Sequence, residues 1–167
     1  MRTSETCLQC LALVLLASRP GPAMAQALYA GAGLGPTILF DQPTGVKTTY
    51  FGGHGVLGLD WPSRIGVRLE GTETYGFLWL SADLTYRWGN QRSPLQPYAV
   101  AGAGVRVEIG NADPIGTAGA GVRAKLIGPL FLFGEGRVHY VFSSTPALLG
   151  PQPRAFLLLT FGASLVS

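Results

Sequence analysis

The sequence predicts an all-β fold in which eight antiparallel strands close into one up-and-down barrel. Three observations support this prediction. Glycine accounts for 24 of the 167 residues, and only 13% of the residues are charged. Eight stretches alternate apolar side chains with small or polar ones, which is the two-residue period of a β-strand. Beyond the first 25 residues no stretch has the 3.6-residue period of a helix, so strands are the only regular element predicted.

The fifth and sixth strands contain a repeated hexapeptide, within the stretch Tyr98–Leu126. AGAGVR occurs at Ala101–Arg106 and again at Ala118–Arg123. The turn-forming run Gly110–Pro114 lies between the copies, so the two strands are predicted to form a hairpin. In both copies one face is apolar, and the other face carries glycine together with charged residues.

Residues 1–25 have the features of a cleaved secretory signal peptide. An apolar run at Leu11–Ala17 precedes the small-residue cleavage motif Ala23–Ala25. The run has seven residues, too few for a membrane-spanning helix, which needs about 20. Both cysteines lie inside this segment, so residues 26–167 are expected to form one domain without disulfides.

The first two strands are predicted at Ala27–Phe40 and Thr48–Trp61. In the first, leucine and alanine alternate with tyrosine and glycine, and Pro36 is expected to interrupt the hydrogen-bond ladder. In the second, an apolar face opposes one with a histidine and an aspartate. Its segment Gly53–Gly58 matches G-x-G-x-x-G, but a nucleotide site would need a helix to begin there. The strand pattern continues instead, so no nucleotide site is predicted.

Four further strands and one long loop complete the predicted barrel. In each of the third, fourth and seventh strands, charged residues alternate with leucine, valine or aromatic residues. In the eighth, an apolar face opposes one that carries threonine, glycine and serine. The longest connection has an apolar tip and is expected to face outside the cell, because the N-terminus is expected to start in the periplasm. The ranges are Arg64–Thr72, Phe77–Trp88, Leu130–Phe142 and Arg154–Val166 for the strands, and Ser143–Pro153 for the loop.

From the third to the seventh strand, the charged residues of each strand fall on a single face. A soluble barrel would turn that face to water, whereas a membrane barrel would enclose it. The apolar face is rich in alanine, which fills a soluble core poorly. If the charged face met lipid, each basic residue would cost roughly 2–4 kcal/mol near the membrane midplane. We therefore predict a transmembrane β-barrel with its charges inside.

The enclosed charges are predicted to form an ionic network that fills the barrel interior. Buried charges are tolerated only when they are paired, and eight strands leave room for side chains but not for an open pore. Asp60 and Arg64 are predicted to face the same interior. The predicted network consists of Arg68, Glu70, Asp83, Arg87, Arg106, Glu108, Arg123, Lys125, Glu135, Arg137 and His139.

Aromatic residues near the strand ends are predicted to form the girdles that mark the membrane surfaces. They are Trp61, Tyr86, Trp88, Tyr140 and Phe142.

The chain resembles the small outer-membrane β-barrel proteins of Gram-negative-type bacteria, the OmpA-like or opacity-protein-like group. The signal, Pro97–Val105, Phe133–Phe142 and the pair Phe161-Gly162 carry the resemblance. It implies a monomer in the cell outer membrane, surrounded by lipid, with periplasmic chaperones and the barrel-assembly machinery as partners during biogenesis. The chain departs from the group in ending with Ser167 rather than with an aromatic residue.

The resemblance is weak for function, because such barrels serve as anchors, adhesins, structural proteins and occasional enzymes. We expect a structural or surface-interaction role, with no enzymatic activity, no cofactor and no metal. The net charge of +3 is mild, and the basic residues are dispersed, so no nucleic-acid partner is expected.

Two alternative functions remain open. One is an outer-membrane lipid-modifying hydrolase that uses His139 with Glu135 or Ser143. Four residues along a strand separate Glu135 from His139 by roughly 13 Å, too far for direct contact in a triad. The other alternative is a soluble periplasmic ligand-binding barrel. His54 and His139 are too few for a predicted metal site.

Overall fold

The computed structural model confirms the predicted fold, a closed barrel of eight antiparallel strands. Each strand pairs with its neighbour in sequence, and β8 closes the barrel against β1. The strands are β1 Ala27–Phe40, β2 Thr49–Asp60, β3 Ile65–Thr74, β4 Phe77–Arg87, β5 Leu95–Glu108, β6 Asn111–Ile127, β7 Leu130–Val141 and β8 Ala155–Val166.

The structure describes six stretches of the chain. The predicted signal peptide with its two cysteines, Ser143 and the apolar tip of the long loop all lie outside them. Within the described residues no helix is long and apolar enough to cross a membrane. The stretches are residues 27–40, 49–74, 76–89, 93–108, 111–142 and 154–167.

The predicted hairpin of β5 and β6 is confirmed, but β6 begins earlier in the chain than predicted. β6 begins at Asn111, so most of the predicted turn Gly110–Pro114 is strand. Asp113 lies opposite Arg106 in the register, and the two side chains form an ion pair. This pairing explains why turn-forming residues continue the ladder here.

Two further predictions about the strands hold. Pro36 lies within β1, and the pairing with β8 skips Gly35 and Pro36 before it resumes at Thr37. The ladder is thus interrupted as expected, while the strand itself continues. The segment Gly53–Gly58 lies inside β2, a continuous strand, which agrees with the rejection of a nucleotide site.

The register sets the tilt of the strands. Followed once around the barrel from Ala27, it returns to β1 at Thr37, ten residues further along the strand. With a rise of about 3.3 Å per residue and a strand spacing of about 4.8 Å, this shift corresponds to a tilt of about 40°. That tilt is typical of transmembrane barrels. Each residue then advances roughly 2.5 Å along the barrel axis.

The barrel has two ends and two walls. The terminal end carries Ala27 and Ser167 together with the turns β2–β3, β4–β5 and β6–β7. The loop end carries the other connections. Along each strand, residues alternate between the outer wall, where side chains are exposed, and the inner wall, where they are buried.

The outer wall of the described strands is apolar, and two aromatic pairs mark its edges. Tyr86 and Trp88 pack edge-on at 5.5 Å near the terminal end, and Tyr140 and Phe142 do so at 5.5 Å near the loop end. Followed through the register, the two pairs lie about 25 Å apart along the axis, the height of the apolar band of an outer-membrane barrel. These four residues occupy the positions predicted for aromatic girdles.

One charged residue interrupts the outer wall of the described strands. β3 extends to Thr74, two residues beyond its predicted end, and this places Glu73 in the strand. Glu73 has outward parity and is exposed. The rule that charges keep to one face therefore has an exception at the loop end of β3.

Glycines on the inner wall leave room for large side chains. A Cβ at Gly58 would lie 2.6 Å from the hydroxyl of Tyr29. A Cβ at Gly121 would lie 2.6 Å from the hydroxyl of Tyr98. Real Cβ atoms do not approach so closely, so both tyrosines occupy their positions because the facing residue is glycine.

Candidate functional site

The barrel interior contains most of the polar chemistry of the described chain. Its fully buried charged side chains are five arginines and five carboxylates, so their formal charges balance. They come from β2 to β7 and lie in three layers along the axis. The arginines are Arg68, Arg87, Arg106, Arg123 and Arg137, and the carboxylates belong to Asp60, Glu70, Asp83, Asp113 and Glu135.

The central layer joins two arginines to three carboxylates. Arg68 donates through Nη1 and Nη2 to both oxygens of Glu135, at 2.7 and 2.6 Å, the bidentate geometry of the strongest ion pairs. The Nη2 of Arg137 lies 2.5 Å from Glu70 and 2.8 Å from Glu135, and its Nη1 lies 3.1 Å from Asp83. Arg137 thus holds three acids together, and its side chain has no exposed surface.

Polar neighbours complete the central layer. The hydroxyl of Tyr98 donates to Glu135 at 2.6 Å, and the Nδ1 of His54 lies 3.3 Å from an oxygen of Glu70. Ser81 donates to Asp83 at 3.1 Å. The three carboxylates and two guanidiniums of the layer give it a formal excess of one negative charge.

The terminal layer has the opposite excess. Asp60 accepts a hydrogen bond from Arg123 at 2.8 Å and lies 3.4 Å from the Nε of Arg87. The guanidinium of Arg123 lies 4.0 Å from the ring centroid of Tyr29 and 5.2 Å from that of Tyr98. On the other layer's side, Arg68 lies 5.8 Å from the Tyr98 ring. The ring of Tyr98 therefore lies between the central and the terminal layer. The negative excess of the central layer and the positive excess of the terminal layer are neighbours along the axis.

The loop-end layer surrounds the Arg106–Asp113 ion pair with apolar side chains, and sequence reasoning missed this apolar cluster. Leu39, Trp79, Ile115, Val141 and Phe156 form one buried cluster, with Tyr50 and Phe77 packed against it. The guanidinium of Arg106 lies 5.4 to 6.0 Å from three aromatic ring centroids of this group while it pairs with Asp113. The sequence does indicate this cluster, because the alternation of β4 places the large apolar side chain of Trp79 on the same inward face as Ser81 and Asp83.

Three charged residues predicted to face the interior lie at its margins. Lys125 is exposed because it lies at the terminal rim, where the register of β6 and β7 shifts between Lys125 and Ile127. Arg64 is exposed in the turn after β2, with a φ of 71°. Glu108 is half-buried as the last residue of β5. The predictions that Lys125 belongs to the interior network and that Arg64 is enclosed are therefore wrong, because both residues lie at the terminal rim, where the interior opens.

His139 lies deep in the interior, 5.1 Å from Trp79 between ring centroids. Neither of its ring nitrogens has a hydrogen-bond partner in the described protein. A hydrolytic triad requires the histidine to contact both a nucleophile and an acid. The described residues do not bring such a pair to His139. They also contain no group of three potential metal ligands.

This chain resembles known proteins in structure rather than in sequence. No protein-family model matches it, and no curated protein sequence does. Among solved structures, Neisserial surface protein A shares 15% identity over 84% of this chain and 95% of its own, with a TM-score of 0.60. The N-terminal barrel of Pseudomonas aeruginosa OprF shares 14% over 84% and 97%, with a TM-score of 0.61. Ail of Yersinia pestis shares 11% over 85% and 99%, with a TM-score of 0.57.

The chain has the fold of the small outer-membrane β-barrels. At these identities the likeness concerns the fold alone, and the predicted resemblance is confirmed at that level. As an outer-membrane-type barrel, the protein has its most distinctive chemistry in the interior, where ten charged side chains are buried and an apolar cluster packs at the loop end.

Proposed function

We propose that the protein resides in the outer membrane as a closed barrel that presents its loop-end connections at the cell surface and conducts no ions. Its role is structural or one of surface interaction, without enzymatic activity. The N-terminus starts in the periplasm, so the loop end faces outside. The observation that supports the proposal is that the outer wall of the barrel is apolar, whereas its inner wall is charged.

The outer wall supports the membrane location. Among the described residues, 21 large apolar side chains are exposed, from Leu34 in β1 to Leu165 in β8. Soluble monomers rarely expose a continuous apolar surface of more than a few hundred Å². The distance of about 25 Å between the aromatic pairs matches the lipid band of an outer-membrane barrel. A soluble ligand-binding barrel would instead need an apolar interior, whereas ten charged side chains are buried here.

The central layer supports closure of the barrel. An ion that crossed the interior would have to break the contacts of Arg137 with Glu70, Asp83 and Glu135. Separating such buried partners leaves uncompensated charge in a medium of low dielectric, which is strongly unfavourable. An eight-stranded barrel also has an interior that side chains can fill.

Cell fractionation tests the location. The full chain is expressed with its N-terminal segment, and the outer-membrane fraction is run on a gel with and without boiling. We expect the protein in that fraction and faster migration when unboiled, as for a barrel that resists detergent. Recovery from the soluble periplasm without a change in migration would contradict the proposal.

Conductance tests the closure. The same folded protein is inserted into a planar lipid bilayer under an applied voltage, with protein-free detergent as the control. We expect no stable conductance steps. Reproducible steps from heat-modifiable protein would show an open interior and would refute closure without affecting the location.

A further inference from the structure

The exposed charges of the barrel are distributed unevenly between its two ends. The exposed charged side chains of the described residues are those of Arg64, Glu73, Lys125 and Arg154. Glu73 and Arg154 lie at the loop end and have opposite signs. Arg64 and Lys125 lie at the terminal end, where no acidic side chain of the described residues is exposed. The rim of the terminal end is therefore cationic.

Both exposed cations of this rim lie at the depth of an aromatic girdle residue, Trp88. Arg64 is in the turn before β3, and its carbonyl accepts a hydrogen bond from the backbone N–H of Arg87. Followed through the register, Arg64, Trp88 and Lys125 lie within about 2 Å of one another along the barrel axis. Around the barrel, Trp88 follows β4 and lies between Arg64, beside β3, and Lys125, in β6. Because an indole at this depth marks the membrane surface, the two cations lie at the level of the lipid headgroups.

The buried terminal layer adds positive charge beneath the rim. Arg87 and Arg123 share the carboxylate of Asp60, so this layer has a formal excess of one positive charge. Arg123 lies two residues from Lys125 in β6, and Arg87 contacts the backbone of Arg64. The four basic residues thus form a cationic arc from the turn before β3 to β6, and Asp60 is the one carboxylate that the described residues place among them. Such an arc attracts anions.

The backbone of Arg64 indicates that its side chain has a role. Its φ of 71° lies in the left-handed region, which glycine and asparagine adopt more readily than arginine. The other two connections at the terminal end have glycine at their positive φ, with 93° at Gly89 and 53° at Gly128. A residue held in an unfavourable conformation at an exposed position suggests a function for its side chain.

We propose that the cationic arc binds the headgroups of anionic phospholipids in the leaflet around the terminal end. Arg64 and Lys125 donate to phosphate oxygens on either side of Trp88, whereas the buried Arg87 and Arg123 act through their charge. Each basic residue near an anionic membrane surface strengthens the association about fivefold. A zwitterionic headgroup has no net charge for the arc to attract, so the arc favours headgroups with net negative charge. This inference rests on the proposed membrane location and specifies the lipid class at one edge of the barrel.

Trp88 can report the composition of the lipid beside the arc. The chain has three tryptophans, and a variant with Trp61→Phe and Trp79→Phe retains Trp88, which is 48% exposed on the outer wall. The further changes Trp88→Phe and Phe142→Trp move the reporter to the loop-end edge of the same wall. Both variants are folded into vesicles of phosphatidylcholine and phosphatidylglycerol, in which either the one lipid or the other is brominated. The ratio of the two quenching efficiencies gives the preference for the anionic lipid at each reporter.

We expect an approximately fivefold preference for phosphatidylglycerol at Trp88 and none at the loop-end reporter. Arg64→Asn and Lys125→Gln should each lower the preference at Trp88, and the double variant should lose it. Asparagine tolerates a positive φ, so the turn before β3 is retained. Arg154→Gln removes an exposed cation at the loop end and is the matched control, which should leave the preference unchanged. Salt at about 1 M should also reduce the preference, because it screens exposed charges.

Three results would overturn the proposal. Equal quenching by the two lipids at Trp88 would mean that the arc faces water or an anion other than a lipid. A preference that survives in the double variant would mean that Arg64 and Lys125 do not hold the headgroups. An equal preference at the loop-end reporter would trace the attraction to the charge of the whole barrel. Failure of the membrane location gives a different result, because the protein would not float with the vesicles in a density gradient. Gel migration of each unboiled variant verifies that it is folded.

Discussion

The inner and outer walls of the barrel are made from the same strands, yet they follow opposite rules. Arg137 and Val138 are neighbours in β7. Arg137 is 1% exposed and contacts three acids, whereas Val138 is 45% exposed on the apolar side. The two-residue period of a strand makes this possible. The effect of a substitution should therefore depend first on which wall the residue faces.

The largest effect is expected from Arg137→Leu. Among the described residues, this change leaves Glu70, Asp83 and Glu135 with Arg68 as their one guanidinium partner. Removal of one partner from a buried ion pair typically costs about 3–5 kcal/mol of stability. We expect a loss of that size in the free energy of unfolding, measured by urea titration of the protein in lipid vesicles.

Val138→Leu provides the matched control on the outer wall. It changes an adjacent residue by one methylene that faces outward, so the unfolding free energy should remain within about 0.5 kcal/mol of the wild-type value. Equal losses for Arg137→Leu and Val138→Leu would contradict the assignment of the walls.

A charge placed on the outer wall should have the next largest effect. Ala101 is exposed near the middle of β5. Ala101→Arg should lower the unfolding free energy in vesicles by about 2–4 kcal/mol, the cost of an arginine at the lipid midplane. Leu95→Arg, at the terminal rim of the same strand, should cost only about 0–1 kcal/mol. A cost that does not depend on depth would argue against a lipid-facing wall.

The sequence predicts the walls well because alternation is a local property. Arg68, Glu135 and Arg137 are assigned inward and Tyr86 and Tyr140 outward from parity alone, and the structure places them so. Depth along the axis is not local, since it depends on the register between strands. The sequence therefore cannot separate the three interior layers.

Residues near strand ends show the same limit. Lys125 has the parity of Arg123 but lies at the rim, and Glu73 becomes an outward residue only because β3 is longer than predicted. Asp113 belongs to a turn-forming run, and its place in β6 follows from the ion pair with Arg106. The position of each of these residues depends on how its strand pairs with a neighbouring strand. The sequence of one strand alone does not contain that information.

Glycines offer a comparison of the walls without charge. A Cβ at Gly102 would lie 2.7 Å from the Cα of Asp83, a backbone atom that cannot easily move. A Cβ at Gly53, on the outer wall, would meet no atom within 4 Å. Gly102→Ala should therefore lose about 1–3 kcal/mol of unfolding free energy, as for overpacking, whereas Gly53→Ala should lose nothing. The same urea titration distinguishes them, and a neutral Gly102→Ala would mean that the inner wall is looser than its contacts indicate.

The smallest effect, and the one of opposite sign, is expected at Glu73, the charged exception on the described outer wall. Near the loop-end edge of the apolar band, an acidic side chain costs less than an arginine at the midplane. Glu73→Leu should thus raise the unfolding free energy in vesicles by about 1 kcal/mol. Glu73→Gln keeps the shape and removes the charge, so it separates the electrostatic part of the gain from the apolar part. A loss of stability in both variants would mean that the carboxylate of Glu73 has a partner at the membrane surface, and that this charge belongs to an interaction rather than to the lipid-facing wall.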